Sequence, residues 1–160
     1  MRKHTKRYII FTSSLLVIFL IGLYIYKTTT GTLVCTYTEN STESKIISEY
    51  QAKYKNRIVQ RVKTVEKITL STKEEVETYK KTLEEIYKPY NELEYYENNI
   101  SIKDTTLNSV TIINYEKIDV KTLVEMNSNF KTIINKNNKI PVTKLKKLYE
   151  KNGAKCHYKN

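Results

Sequence analysis

Two cysteines, Cys35 and Cys156, are the side chains of this sequence with the widest choice of chemistry. A thiolate can attack a substrate, bind a metal, carry a lipid or pair with a second thiol, and each use asks for different neighbours. Nucleophilic attack needs a base. The two histidines are His4 and His157, and a residue adjacent to Cys156 on a strand points to the opposite face. A metal site needs three or four ligands, and Cys156-His157 with a distant Cys35 falls short. Lipid attachment needs a small residue directly before the cysteine, close behind an apolar stretch. Val34 precedes Cys35, and Cys35 lies nine residues beyond Tyr26. Pairing of Cys35 with Cys156 is the leading expectation, with two buried reduced thiols as its alternative.

Other groups are less specific. Glu74-Glu75 and Glu84-Glu85 are paired carboxylates, but helical spacing puts both pairs on a solvent-facing side. The sequence has no phosphate-binding Gly-rich loop, zinc motif or Ser/His/Asp set, and no cofactor is expected. Formal net charge is +11, with 24 Lys and 4 Arg. Residues 32–116 hold 12 basic and 14 acidic side chains, whereas residues 117–160 hold 11 basic and 3 acidic. Lys144, Lys146, Lys147 and Lys151 are therefore expected contacts for an anionic surface, either lipid headgroups or wall polymer. The plainer reading is a solvated face in a lysine-rich chain. Tyr is abundant, at 14 residues against 3 Phe and no Trp. It supplies binding area with a polar tip, or simply fills a core and its rim.

Which partners these groups meet depends on the N-terminus. Residues 1–7 read "MRKHTKR", with four basic residues and no acidic one. Residues 8–26, from Tyr8 to Tyr26, run nineteen positions without a charge. A helix of that length covers roughly 28 Å, about the hydrocarbon thickness of a bilayer. The basic flank predicts a cytoplasmic N-terminus and an extracytoplasmic remainder. A cleaved signal peptide is the rival, but its apolar region is usually about 7–15 residues and ends at small residues. The expected division is a cytoplasmic flank at 1–7, a transmembrane signal anchor at 8–26, a linker at 27–31 and an extracytoplasmic domain at 32–160. Disulfides persist on that side of the membrane, and nucleic acid is not a partner there.

The elements that must position these groups follow from periodicity. Strands are predicted over 32–38, 44–54 and 57–70, with a hairpin turn at Lys55-Asn56. The third strand alternates Ile58, Gln60, Val62, Thr64, Glu66 and Ile68 against Val59, Arg61, Lys63, Val65 and Lys67, so neither set is cleanly apolar. A helix follows, opened by a capping box of Ser71 with Glu74 or Thr72 with Glu75. Its expected apolar face is Val76, Tyr79, Leu83, Ile86, Tyr87 and Tyr90, ended by Pro89. Strands at 92–98 and 108–118 are joined through 100–104. Asp119 caps a helix running through Leu123, Met126 and Phe130. Pro141 or Thr143 opens a last helix, which Gly153 stops, and 154–158 closes the domain as a strand bearing Cys156. The fold class is α+β: an N-terminal transmembrane helix, then an antiparallel sheet with about three helices packed on one side.

The strings "LVCTYTEN", "STKEEVETYKKTLEEIYKPY" and "VTIINYEKIDVKTL", in this order of elements, resemble the YehR-like family of small bacterial envelope lipoproteins. The matching positions are Cys35, Tyr90, Val110, Thr111, Tyr115, Asp119 and Leu123, and the resemblance covers about residues 32–156. It implies an extracytoplasmic antiparallel sheet with helices and carries over no catalytic residue. The chain departs from the family in lacking a lipid-attachment motif, so a transmembrane helix would do the anchoring. The expected function is a membrane-anchored extracytoplasmic binding or accessory domain of the bacterial cell envelope, without catalysis. Its partner would be anionic lipid, anionic wall polymer or an envelope protein. The alternatives are an envelope enzyme acting on wall or lipid material, and a structural accessory of a secretion or conjugation assembly.

Overall fold

The computed structural model describes residues 30–159. The basic flank, the apolar span from Tyr8 to Tyr26 and residues 27–29 of the linker lie outside them. Among the described residues no helix is long and apolar enough to cross a membrane.

Runs of β-branched and aromatic residues become long strands: β1 (Thr30–Asn40), β2 (Ser44–Lys55) and β3 (Ile58–Leu70). Helix α1 (Lys73–Tyr87) follows, then a 3-10 turn (Tyr90–Glu92), β4 (Tyr96–Lys103) and β5 (Thr106–Asn114). Two short helices, α2 (Val120–Met126) and α3 (Phe130–Ile133), lead to α4 (Val142–Lys151) and the closing strand β6 (Lys155–Lys159). All pairings are antiparallel, in the order β4-β5-β3-β2-β1-β6. The expected α+β architecture is therefore present, with four helices rather than three.

The mixed alternation of β3 has a local cause. Lys53 pairs with Arg61 but Tyr54 pairs with Val59, so Gln60 is bulged out of the ladder. The bulge reverses the parity, and Val59 and Val62 both reach the buried face, at 2% and 3% exposure. The turn of this hairpin is Asn56-Arg57, both with positive φ, one residue later than expected. Strand β1 begins at Thr30 and takes in part of the expected linker. Gly31 is fitted there because the Tyr54 ring covers it, leaving no room for a Cβ.

Three further differences bear on the helices and the second hairpin. Strand β4 begins at Tyr96, because Pro89 is followed by the 3-10 turn and Tyr95 takes a left-handed conformation (φ 68°). Ile100 and Ile102 continue that strand where a linker was expected, and the real turn is Asp104-Thr105. The helix capped by Asp119, whose carboxylate accepts from the Lys121 amide, stops at Met126. There Asn127 closes α2 through its amide, and its side chain accepts from the Asn129 amide.

Helix α1 starts with the Thr72–Glu75 capping box and buries Val76 and Leu83 against Ile68 and Leu107. Ile86, expected on that face, is 54% exposed. The larger core lies under α2, α3 and α4, where Leu123, Ile133, Ile140 and Leu145 cover Leu33, Cys35, Ala52 and Val62. Both clusters use one face of the sheet. The other face carries Ile47, Val65 and Ile112 among Lys53, Arg61, Lys63 and Lys67, and among the described residues no helix lies over it.

Candidate functional site

Strand register sets the site. On the covered face, Ser48 of β2 stands opposite Glu66 of β3, and Glu66 stands opposite Ser109 of β5. One step along, Tyr50, Thr64, Thr111 and Asn98 form a parallel row across β2, β3, β5 and β4. These two polar rows separate the core under α1 from the core under α2–α4. The helices part above them, and a cleft of about 310 Å³ is left between α1, the 3-10 turn and the α2–α3 corner. Its floor is Thr64, Glu66 and Thr111, and its walls are Tyr50, Tyr87, Tyr90, Tyr96 and Phe130, with Asn127 at the rim. A wider depression, about 560 Å³, lies beside the end of α1, but exposed charged and polar side chains alone line it, among them Lys81, Glu84 and Lys88. Contact with the sheet, rather than volume, singles out the tyrosine cleft.

Glu66 is the unusual member. A half-buried carboxylate normally has a cationic partner or several donors. Here Ser48 Oγ donates to Glu66 Oε1 at 3.3 Å. The ion pairs among the described residues are Lys80–Glu84 and Lys146–Glu150, both elsewhere. Burial pushes the Glu66 carboxyl above the usual carboxylate range, and the Ser48 bond offsets part of that. Ser48 and Ser109 are each 1% exposed. Asn98 Nδ2 donates to Thr111 Oγ1 at 2.8 Å, so the second row is internally bonded.

The tyrosines respond to the same setting. Burial raises the Tyr87 phenol to about 12, with the Glu66 charge adding to it, and Thr111 and Ser109 offset part of the shift. Burial likewise raises Tyr50 and Tyr79, each with a further push from Glu66. Tyr96, Tyr115 and Tyr149 are raised further still, again chiefly by burial. All are neutral phenols at physiological pH. Tyr90 and Tyr96 stack with centroids 5.5 Å apart, and Tyr50 stacks on Tyr149 at 4.4 Å. The cleft thus offers aromatic surface, neutral hydroxyls and one carboxylate. Among the described residues, no second carboxylate, histidine or thiol lines it.

Cys35 and Cys156 are bonded to each other. They are register partners on neighbouring strands β1 and β6, with Cα atoms 4.1 Å apart, and they close a sequence separation of 121. Cys35 is fully buried. The four lysines do not form one set. Lys144, Lys147 and Lys151 follow one stripe of α4 at helical spacing, but Lys146 turns away and pairs with Glu150. Lys144 Nζ also donates to the Ile134 carbonyl at 2.7 Å. A denser basic surface lies on the open face of the sheet, where Lys53 faces Arg61 and Lys63 faces Gln51 across β2 and β3. Strand β6 adds Lys155 and Lys159 at its edge.

Sequence reading missed Glu66 as a site residue. Its signal was present: a carboxylate in the same alternating set as Val62 and Ile68 has to face a core or a cleft.

No family model matches the chain, and no curated protein matches it. Among solved structures it is similar to the NMR structure of the E. coli YehR protein, at 22% identity and a TM-score of 0.53, over 77% of this chain and 88% of that one. It is also similar to an NMR structure of a protein from Streptococcus pneumoniae TIGR4, at 17% identity and a TM-score of 0.49, over 81% of this chain and 86% of that one. What the first likeness establishes is architecture: the chain has a YehR-like fold over the 77% of it that the match covers.

Proposed function

We propose that the chain is a membrane-tethered extracytoplasmic domain of a bacterial cell envelope that binds a small ligand in the tyrosine cleft and performs no catalysis. The observation that carries this reading is Glu66, a carboxylate on a central strand at the floor of an open cleft, without a cationic partner among the described residues. Packing alone favours an aliphatic side chain at such a position, so a polar residue held there at some expense of stability points to a ligand. The uncharged span of residues 8–26 with its basic flank supports the tether. The Cys35–Cys156 disulfide is in keeping with an oxidising compartment.

The tether also gives the basic sheet face a role. Thr30, where β1 begins, pairs with Lys55 at the same end of the sheet as Lys53, Arg57, Arg61 and Lys159. Only three residues separate Tyr26 from Thr30, so this end would lie at the membrane surface, where anionic headgroups would attract its Lys and Arg side chains. Lys144, Lys147 and Lys151 would add a weaker contact.

Two measurements test the reading. A C-terminal alkaline phosphatase fusion should be active in cells; an inactive fusion beside an active cytoplasmic reporter overturns the extracytoplasmic placement. The chain has no Trp, so its emission comes from its 14 tyrosines, four of which line the cleft. Titration of the purified full chain with amino acids, sugars, polyamines and quaternary ammonium salts should give a saturable change that Tyr90→Ala abolishes. No response to any of these classes overturns binding in the cleft.

A further inference from the structure

We propose that the cleft takes an organic cation, an ammonium or guanidinium group, with Glu66 as its counter-ion and the rings of Tyr50, Tyr87, Tyr90 and Tyr96 as its walls; this rests on the cleft being a binding site. The chain holds 28 Lys and Arg residues, yet none lines the cleft. In so basic a protein no described residue supplies the charge that would neutralise Glu66, and the natural source of it is a ligand. A carboxylate has about four acceptor positions, and Glu66 uses one of them, on Ser48 at 3.3 Å. The rest are available to N–H donors or to a methylated ammonium.

The walls select in the same direction. Tyr50, Tyr87, Tyr90 and Tyr96 bring four aromatic rings to one cleft around a single carboxylate. Ring faces carry negative potential and attract cations, more strongly where water is excluded. A neutral sugar or polyol could hydrogen-bond to the lining but would leave the Glu66 charge without a counter-ion. A volume of about 310 Å³ admits a trimethylammonium or guanidinium group with a short stem. An anion would meet an unneutralised carboxylate.

The +11 net charge repels cations at long range, so the attraction has to be local. Binding should therefore depend little on ionic strength, because a contact within the cleft is far shorter than the ~8–10 Å screening length.

The test uses the purified full chain in a non-ionic detergent, which brings no choline headgroup of its own. Choline, tetramethylammonium and guanidinium are titrated by calorimetry and tyrosine emission beside 3,3-dimethyl-1-butanol, the neutral isostere of choline, and glucose. At least one cation should bind about tenfold or more tightly than the isostere, and Glu66→Gln should weaken it by at least about tenfold. Glu66→Gln keeps the acceptor for Ser48 and removes only the charge, so loss of folding is not its expected effect. Failure of all three cations to bind more tightly than the isostere, or unchanged cation binding by Glu66→Gln, overturns the inference. A response to glucose with none to any cation overturns it too, while leaving the cleft as a binding site. No response to any probe overturns both.

Discussion

The disulfide seam and the Glu66 row share one face of one sheet and are built on opposite principles. At the seam, Cys35 is fully buried, its register partner on β6 is covalently bonded to it, and Cys35 belongs to the same apolar core as Leu33, Ala52 and Leu145. Across β2, at the next strand, the same face turns polar: Ser48, Thr64, Glu66 and Thr111 lie where the helices do not meet. One region gives up chemistry for stability, since a bonded thiol neither attacks nor ligates. The other gives up packing for a carboxylate and an opening. In a small domain with two modest apolar clusters, the first makes the second tolerable.

The comparison can be broken at the seam with the largest effect. Replacing both cysteines by Ala should destabilise the domain by about 2–5 kcal/mol, because the bridge closes a long loop. It should leave ligand binding unchanged at temperatures where the variant is folded. Urea unfolding of wild type and variant, each with and without reductant, measures this, and reductant should destabilise only the wild type. Next in size, Leu107→Ala should cost about 2–4 kcal/mol, since this fully buried side chain anchors α1 over Ile68 and Val76. The same unfolding experiment reads it. Smaller again, Thr72→Ala removes the capping box of α1 and should cost about 1 kcal/mol. Because α1 is a wall of the cleft, hydrogen exchange should quicken in its first turn while the β1–β6 seam keeps its protection.

Much of this was legible in the sequence because it depends on local rules. The capping box at Thr72–Glu75, the Asp119 cap, Pro141 before the last helix and a closing strand bearing Cys156 all follow from short-range spacing. The cysteines could be paired by asking what each alternative chemistry lacks. The bulge at Gln60 was not legible, because a register shift depends on the partner strand; the poorly sorted alternation of β3 was its only trace. Tyr95 at φ 68° has no local signature either, since an aromatic residue disfavours that conformation. The lysines of α4 were read as one patch, although helical spacing alone sets Lys146 apart from Lys144, Lys147 and Lys151. The cleft itself draws on β2, β3, α1, β4, β5 and the α2–α3 corner. A gap between helices is a property of packing that no short string encodes, and the one clue was a glutamate among core-facing positions.

The central claim is that Glu66 is kept for a ligand and not for the fold. Burial raises its folded carboxyl above the ordinary value of 4.5, so the protonated form favours folding. That contribution is full below the unfolded value and is lost as pH rises through the folded one. The most direct measurement is the unfolding free energy of Glu66→Gln and wild type, without ligand, at pH 7 and at pH 4. The account predicts a variant more stable by up to about 1 kcal/mol at pH 7, with the difference closing at pH 4, where the wild-type side chain is itself neutral. A variant less stable than wild type at pH 7 would contradict it, because the carboxylate would then be part of what holds the domain together.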